Sequence, residues 1–403
     1  MGEIKILHPF TSRFLKDFIL TPLLIPFADE EVVNLDKELT RHEQIFLNPE
    51  IARNLISRNE LLASFAISKA ENSQLTLAEA KAVYELVLTD PDYNFIAQKL
   101  KSKKTLTQKD HDRLEFFNIA RTFRQLNRQK FTVADLNPEF IRKLHRDLTL
   151  GLDLFRDFLP EFTVYKSGNW RDNDLIRVGN YAPASYPEIP AGIKELISLV
   201  KNKPRVSSVA IFHTGLYALH PFNNGNKRVG RVLEHWLFRA LGLNTKNLYS
   251  SSYYYHQEKQ RYYRRLLNSL ERKNLNHFCD FVFEALVLSM AGVLKTSLAV
   301  KRQEFITGRE PDKNIRLIVK PLVKRREVQF KQLIKKTRGK MARQTFVNYL
   351  DQAVKTSLVS KRIDGKKTYY CLDFDAPETE TLNRWLKFIA DRLTYLPDSF
   401  KNV

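Results

Sequence analysis

Residues 220–231 read HPFNNGNKRVGR. His220 titrates near neutral pH as a free side chain and can take a proton from an incoming hydroxyl. Gly225 lets the backbone approach a phosphate more closely than any residue with a Cβ. Arg228 and Arg231 stand three apart, so a helix starting near Lys227 or Arg228 puts both on one face, within reach of one polyphosphate. The first turn of that helix offers unpaired N–H groups and the positive end of its dipole, which together make an anion site. Asn226 reads as an amide donor at the mouth of this nest, and Phe222 as the apolar pin fixing the loop to a core. Each residue alone suits an ordinary basic turn. Their spacing points to nucleotide phosphates, yet the stretch holds no Asp or Glu.

Two apolar helices must hold this loop: SSVAIFHTGLYAL before it and VGRVLEHWLFRAL after it. Helical periodicity dominates the chain elsewhere too, in SRNELLASFAISKAEN, TLAEAKAVYELVLT, HDRLEFFNIARTFRQL and HFCDFVFEALVLSMAGVLKTSLAV. Many of these segments open on Asn, Ser or Thr, the residues that cap helix N-termini. The pattern breaks between about 160 and 192. There VYKSGNWRDNDLIRVGNYAPASYPEIP predicts a surface loop carrying a hairpin, with a β-like core at Leu175 to Val178. A second break, FITGREPDKN at 305–314, marks a domain boundary. Beyond it come helix, turn, helix and two alternating strands about Asp364-Gly365, the element order of a winged helix. From Lys301 to Tyr370 there are 20 Lys and Arg against 6 Asp and Glu.

Across 403 residues the chain is 43% hydrophobic and 28% charged, ordinary for a globular protein of two or three domains. Its formal charge of +21 favours a polyanionic partner, whether nucleic acid, nucleotide phosphate or an acidic protein face. Cys279 and Cys371, the only cysteines, form neither a disulfide framework nor a metal set and suit a reducing cytoplasm. No uninterrupted apolar run reaches bilayer length, so no membrane partner is expected. The N-terminus is a poor signal peptide, and MGEIKI fits the myristoylation pattern weakly, with Ile6 where Ser or Thr belongs. A homodimer stays open.

The loop resembles the signature of the Fic family, H-x-F-x-[D/E]-[G/A]-N-[G/K]-R-x-x-R. His220, Phe222, Gly225, Asn226, Lys227, Arg228 and Arg231 match it, and Asn224 departs from it. His213 seven residues upstream, the Gly-x-x-Arg stretch SGNWR with its following flap, and EKQRYYRRLL with Tyr262 and Tyr263 extend the resemblance over roughly residues 45–300. The implied fold is mainly α: a Fic-type helical bundle with a β-hairpin flap, followed by a small α/β winged-helix domain. Its implied parts are an N-terminal helical region (1–110), a Fic core (111–304) and a winged-helix domain with a C-terminal helix (315–403).

The implied reaction moves AMP from ATP to a Ser, Thr or Tyr hydroxyl of a protein. His220 would be the base; Gly225, Asn226, Lys227 and Arg228 would cradle the inner phosphates, and Arg231 the γ end. Ile176, Arg177 and Val178 would align the target chain. Asn224 stands where the family's acidic Mg²⁺ ligand belongs, so Mg²⁺ would be bound weakly or dispensed with, and Lys227 would supply part of its charge. Lys227 also occurs in the Doc branch, where a phosphoryl group moves instead. Glu71 and Asn72, in AISKAEN, resemble an inhibitory helix whose Glu pairs with the last arginine of the loop. A catalytically weakened Fic-fold regulator binding DNA is the other reading. Its recognition helix would present Arg343, Gln344, Asn348 and Lys355, and its wing Lys361, Arg362, Lys366 and Lys367.

Overall fold

The computed structural model describes residues 5–46, 49–102, 104–160, 162–337 and 339–401. It divides into two compact units, residues 1–40 with 48–289, and residues 41–47 with 290–403. The first unit is helical. Its elements are α1 (Asp29–Phe46, in this unit up to residue 40), α2 (Pro49–Lys69), α3 (Leu77–Thr89), α4 (Phe95–Lys101), α5 (Gln108–Arg128) and α6 (Pro138–Thr149), then α7 (Ile189–Asn202), α8 (Val206–Leu219), α9 (Asn226–Ala240), α10 (Ser251–Gln257), α11 (Lys259–Glu271) and the start of α12 (Asn276–Arg309).

Local chemistry sets several of these boundaries. Thr76 and Thr107 close reciprocal capping boxes with Glu79 and Asp110, and Asn137 caps α6 with Pro138 at its first turn. Such a cap contributes about 1 kcal/mol. The amphipathic helices turn one face inward, whereas α8 and α9 are buried on nearly all sides. α8 packs on α7 and α9, burying Val209, Phe212, Leu216 and Leu219. α9 buries Val229, Val232, Leu233 and Trp236, whose indole stacks on Phe131 with ring centroids 4.7 Å apart. Each such large side chain contributes about 1.5–3 kcal/mol by leaving water. The loop between α8 and α9 is therefore anchored at both ends in the core.

The expected flap hairpin is reduced to one bridge, Val178 to Tyr181, with N···O distances of 3.0 and 3.1 Å. Polar side chains hold this segment in place of strand pairing. Asp174 accepts from the Tyr186 N–H, the Ser185 hydroxyl and Arg171, while Arg177 donates to the Asp174 and Ile176 carbonyls.

The second unit contains the rest of α12, then α13 (Lys313–Val319), β1 (Val328–Gln329), α14 (Phe330–Thr337), α15 (Arg343–Lys355), β2 (Val359–Asp364), β3 (Lys367–Leu372) and α16 (Pro377–Ala390). The strands form an antiparallel sheet in the order β1-β3-β2. Asp364 pairs with Lys367 across a turn whose Gly365 has φ 58°, which favours glycine. The two-residue β1 was not expected from the sequence, being too short to show alternation. Ile315, Ile318, Leu333, Phe346, Leu350 and Tyr370 form the core. Because Phe346, Leu350 and Ala353 point inward, α15 leaves Arg343, Gln344, Asn348, Gln352 and Lys355 exposed. Of the break expected at 305–314, residues 305–309 continue α12 and only 310–312 separate it from α13, which Asp312 caps, while the compact units divide at 289/290.

One expectation needs correction. α12 contains a window long and apolar enough by composition to cross a membrane. Scattered Asp, Glu and Lys hid it from a search for unbroken apolar runs. Within the protein 78% of that window is buried, as in a core helix.

Candidate active site

The loop begins where α8 ends. His220 occupies the left-handed region, φ 47° and ψ 63°, which costs a residue with a Cβ about 1–2 kcal/mol. Arg171 offsets that strain. Its Nε donates to the His220 carbonyl at 2.8 Å, and its Nη2 to the carbonyls of Leu219 and Ala184. Its own N–H donates to the Pro221 carbonyl at 2.8 Å. One buried guanidinium thus fixes the backbone on both sides of the candidate base.

Asn226 is not the free amide donor that its position suggested. Its Oδ1 accepts the Phe222 N–H at 3.0 Å and its Nδ2 donates to the Phe222 carbonyl at 2.7 Å, tying the loop to itself. α9 starts at Asn226, with Gly225 as its cap at φ 79°. A Cβ on Gly225 would lie 3.4 Å from Arg228, His145 and Thr149, so glycine serves here through both conformation and space. His145, on α6, accepts the Gly168 N–H at Nδ1 (2.9 Å). This assigns the proton to Nε2, which donates to the Asn224 carbonyl at 3.0 Å. Its ring stacks on Phe222 at 3.8 Å. Gly168 itself has φ 78°, which favours glycine, and a Cβ there would lie 3.3 Å from the Arg142 carbonyl oxygen.

The arginines behind the loop are fully buried. Arg228 lies over the Tyr165 ring (4.9 Å), 3.3 Å from Glu115 and 3.8 Å from Glu71. None of its three nitrogens makes a hydrogen bond of acceptable geometry. Arg231 lies over Tyr262 at 4.5 Å and donates to the Ala66 carbonyl at 3.2 Å, while its Nε has no acceptor. Buried guanidinium N–H groups without acceptors are costly and suit an oxyanion.

Glu71 departs from its expected pairing. It meets Lys227 (3.6 Å) and Arg228 (3.8 Å) rather than Arg231. Arg231 sits one turn deeper on α9, under tyrosine rings and the end of α2, where the Ala66 carbonyl takes its donor. Glu71 and Asn72 lie on the turn after α2, not on a helix, with Asn72 at φ 66°. The Ala70 carbonyl accepts from Lys227 (3.2 Å) and Tyr263 (3.0 Å), so this turn covers the loop.

A cleft of about 370 Å³ opens over these groups. Glu71, Ile176, Arg177, Val178, Tyr217, His220, Asn224 to Lys227 and Tyr263 are among the residues that line it. The structure thus brings together His220, the glycine loop, Lys227, Glu71 and the flap residues, while Arg228 and Arg231 lie just behind. His220 Nδ1 is buried and unpartnered. Burial, then the charges of Arg171 and Lys227, push its pKa down to about 3, so the imidazole is neutral but weakly basic until an anion reaches the loop and raises its pKa. Behind it Tyr262 donates to Tyr217 (3.1 Å) and meets His213 Nε2 at 3.3 Å, and His213 Nδ1 lies 2.6 Å from Glu234. Arg171 and His145 were not among the expected site residues. Arg171 had a signal in the SGNWR stretch, whereas His145 had only its place on an amphipathic helix.

The family resemblance implies Mg²⁺, and the donors present fit it poorly. The loop offers no carboxylate, and the Asn224 amide oxygen already accepts the Gly225 N–H at 2.7 Å. Lys227 lines the same cleft. Among the described residues no cluster of three or more His, Cys, Asp or Glu could hold a metal ion.

A Fic/DOC family model matches residues 135–238, which run from just before α6 to the last turn of α9. The "Probable protein adenylyltransferase" of Aquifex aeolicus strain VF5 is 26% identical over 134 residues, which are 32% of this chain and 39% of that protein. The chain therefore spans about two fifths of the length of that relative. A Fic family protein from Desulfovibrio desulfuricans G20 has a similar fold, with a TM-score of 0.51 at 17% identity, covering 92% of this chain and 99% of that one. The loop, the two core helices that hold it and the match over residues 135–238 agree: this chain carries a Fic/DOC family domain.

Proposed function

We propose that the chain transfers AMP from ATP to a Ser, Thr or Tyr hydroxyl of a protein. The observation that carries this reading is the placing of His220, whose Nδ1 is buried without a partner, on one loop with two fully buried arginines that have nitrogens lacking acceptors. His220 takes the proton of the acceptor hydroxyl as that oxygen attacks the α-phosphorus. The α–β anhydride bond breaks and pyrophosphate leaves. The first turn of α9 receives the inner phosphates through backbone N–H groups, Gly225 lets them approach closely, and Arg228 and Arg231 lie behind them. Lys227 supplies positive charge in a loop without a carboxylate. Ile176 to Val178, bridged only at Val178, offer an edge on which a target segment can add as a strand. Glu71 acts as a brake by neutralising Lys227 and Arg228.

Incubation with α- or γ-labelled ATP, with and without EDTA, tests this reading. Label from the α position should appear on protein, fall about 10²–10⁴-fold in His220→Ala, and survive EDTA in large part. Label from the γ position alone would make the protein a phosphotransferase. Neither label, even with Glu71 replaced, would leave a non-catalytic regulator.

The second unit supports an additional reading, binding of duplex DNA. A surplus of 14 cations between residues 301 and 370 accounts for two thirds of the chain's net charge. α15 exposes Arg343, Gln344, Asn348, Gln352 and Lys355, side chains able to contact base edges and phosphates. Arg362 contributes less than expected, being held by Glu327 at 2.8 Å and Asp364 at 3.3 Å. Reversing the wing residues Lys366 and Lys367 to Glu should weaken binding to every duplex and flatten its salt dependence by about one unit for each phosphate no longer neutralised. A wild-type chain that ignores duplex DNA at low salt would leave this unit a protein-docking module.

A further inference from the structure

Arg228 has a second carboxylate besides the one on the covering turn. Glu115, on α5, lies 3.3 Å from Arg228 Nη1, closer than Glu71 comes to the same side chain. The two differ in how firmly they are held. Glu71 sits on a turn that lines the cleft, whereas Glu115 is 2% exposed on a helix packed against α2, α3 and α6. Displacing the turn would remove Glu71 and leave Glu115 in place. Opening the brake therefore does not by itself free Arg228 for a phosphate.

The groups around Glu115 define the problem that a phosphate creates. From α9 it faces Arg228, and from the covering turn Glu71. His111 and Asp112 stand on its own helix. Tyr165, from the long loop after α6, lies under the guanidinium, and its hydroxyl is 3.1 Å from His111 Nε2. Glu115 Oε1 is buried without a hydrogen-bond partner. A phosphate arriving at Arg228 would place a second strong anion on one guanidinium, in a site too buried for water to screen them. Like charges held this close do not both stay ionised.

We propose that Glu115 is the positioning residue that holds Arg228 against Tyr165, and that it takes up one proton from solvent when a nucleotide phosphate reaches that arginine. Uptake converts its carboxylate to a neutral carboxyl, relieving the repulsion while keeping Arg228 in place. The free protein is poised for this. Burial pushes the Glu115 carboxyl up to about 7, against the pull of Arg228 and His111 and with Glu71 and Asp112 adding to the rise. The sign follows from linkage. An incoming anion raises this pKa further, so nucleotide affinity is greatest at acidic to neutral pH and falls above it, by up to about tenfold per pH unit. The inference rests on the nucleotide reading of the loop but not on AMP transfer.

Calorimetric titration of the full chain, carrying Glu71→Gly, with a non-hydrolysable ATP analogue tests it. Buffers of different ionisation enthalpy, slightly above neutral pH, separate proton uptake from binding heat. We expect net uptake approaching one proton per nucleotide, and an affinity that weakens as pH rises. Glu115→Gln, isosteric and neutral, should bind the analogue without uptake and with an affinity insensitive to pH over the same range. Binding without proton uptake in the Glu71→Gly protein would overturn the proposal without touching the AMP-transfer reading. So would uptake that persists in Glu115→Gln. Failure of the analogue to bind at all would overturn both.

Discussion

Arg171 does more for the candidate site than its distance from the reacting atoms suggests. It binds the carbonyls of Leu219, His220 and Ala184, and through Asp174 it reaches the base of the flap. A lysine there keeps the charge but cannot make several directed bonds at once. Arg171→Lys should therefore lower transfer activity and destabilise the protein by about 1–3 kcal/mol, leaving buried carbonyls short of donors. Measuring kcat alongside the thermal midpoint checks it; full activity at a lowered midpoint would mean that His220 holds its strained conformation without help. The sequence announced His220, Gly225, Arg228 and Arg231 through spacing alone. It could not announce Glu115, because one carboxylate on an amphipathic helix looks like any other until α5 and α9 are packed.

Among the elements, the end of α2 and the turn after it cover the loop. Ala66, Ala70 and Glu71 together engage Arg231, Lys227, Tyr263 and Arg228. Most of these bonds go to backbone carbonyls, which a side-chain substitution does not remove. Glu71→Gly should accordingly raise self-modification from labelled ATP, though less than displacing the whole turn would. Unchanged labelling would show that the carbonyl bonds, or Glu115, are the effective restraint. The helices flanking the loop were legible from their apolar periodicity. The flap was read as a hairpin because Leu175 to Val178 alternate, but local bonds to Asp174 won over strand pairing.

For the whole molecule, buried histidines link folding to pH. His145, His220 and His235 are each pushed down to about 3, chiefly by burial. Their unfolded values lie near 6.5, so below that pH the unfolded chain binds protons that the folded chain refuses. Stability is thus fully present above about pH 6.5 and is lost as pH falls toward 3, by up to about 4 kcal/mol per pH unit while all three contribute. Acid unfolding followed by circular dichroism should begin below neutral and involve about three protons. A stability flat from pH 7 to about 4 would show that these rings protonate in place. The charge surplus of residues 301–370 is also a property at this scale, and composition alone located it.

The sequence by itself determined what depends on near neighbours along the chain. That covers the mainly helical class, the loop with its histidine and arginines, the turn at Asp364-Gly365 and the basic C-terminal unit. Only tertiary packing decided which charges meet. It placed Glu71 against Lys227 and Arg228 rather than Arg231, turned Asn226 inward as a clamp, and set Glu115, His145 and Arg171 around the loop. The physical reason is range. Helical periodicity and capping act over three or four residues, whereas a buried ion pair joins side chains more than a hundred positions apart, and its partner is fixed only when the helices pack.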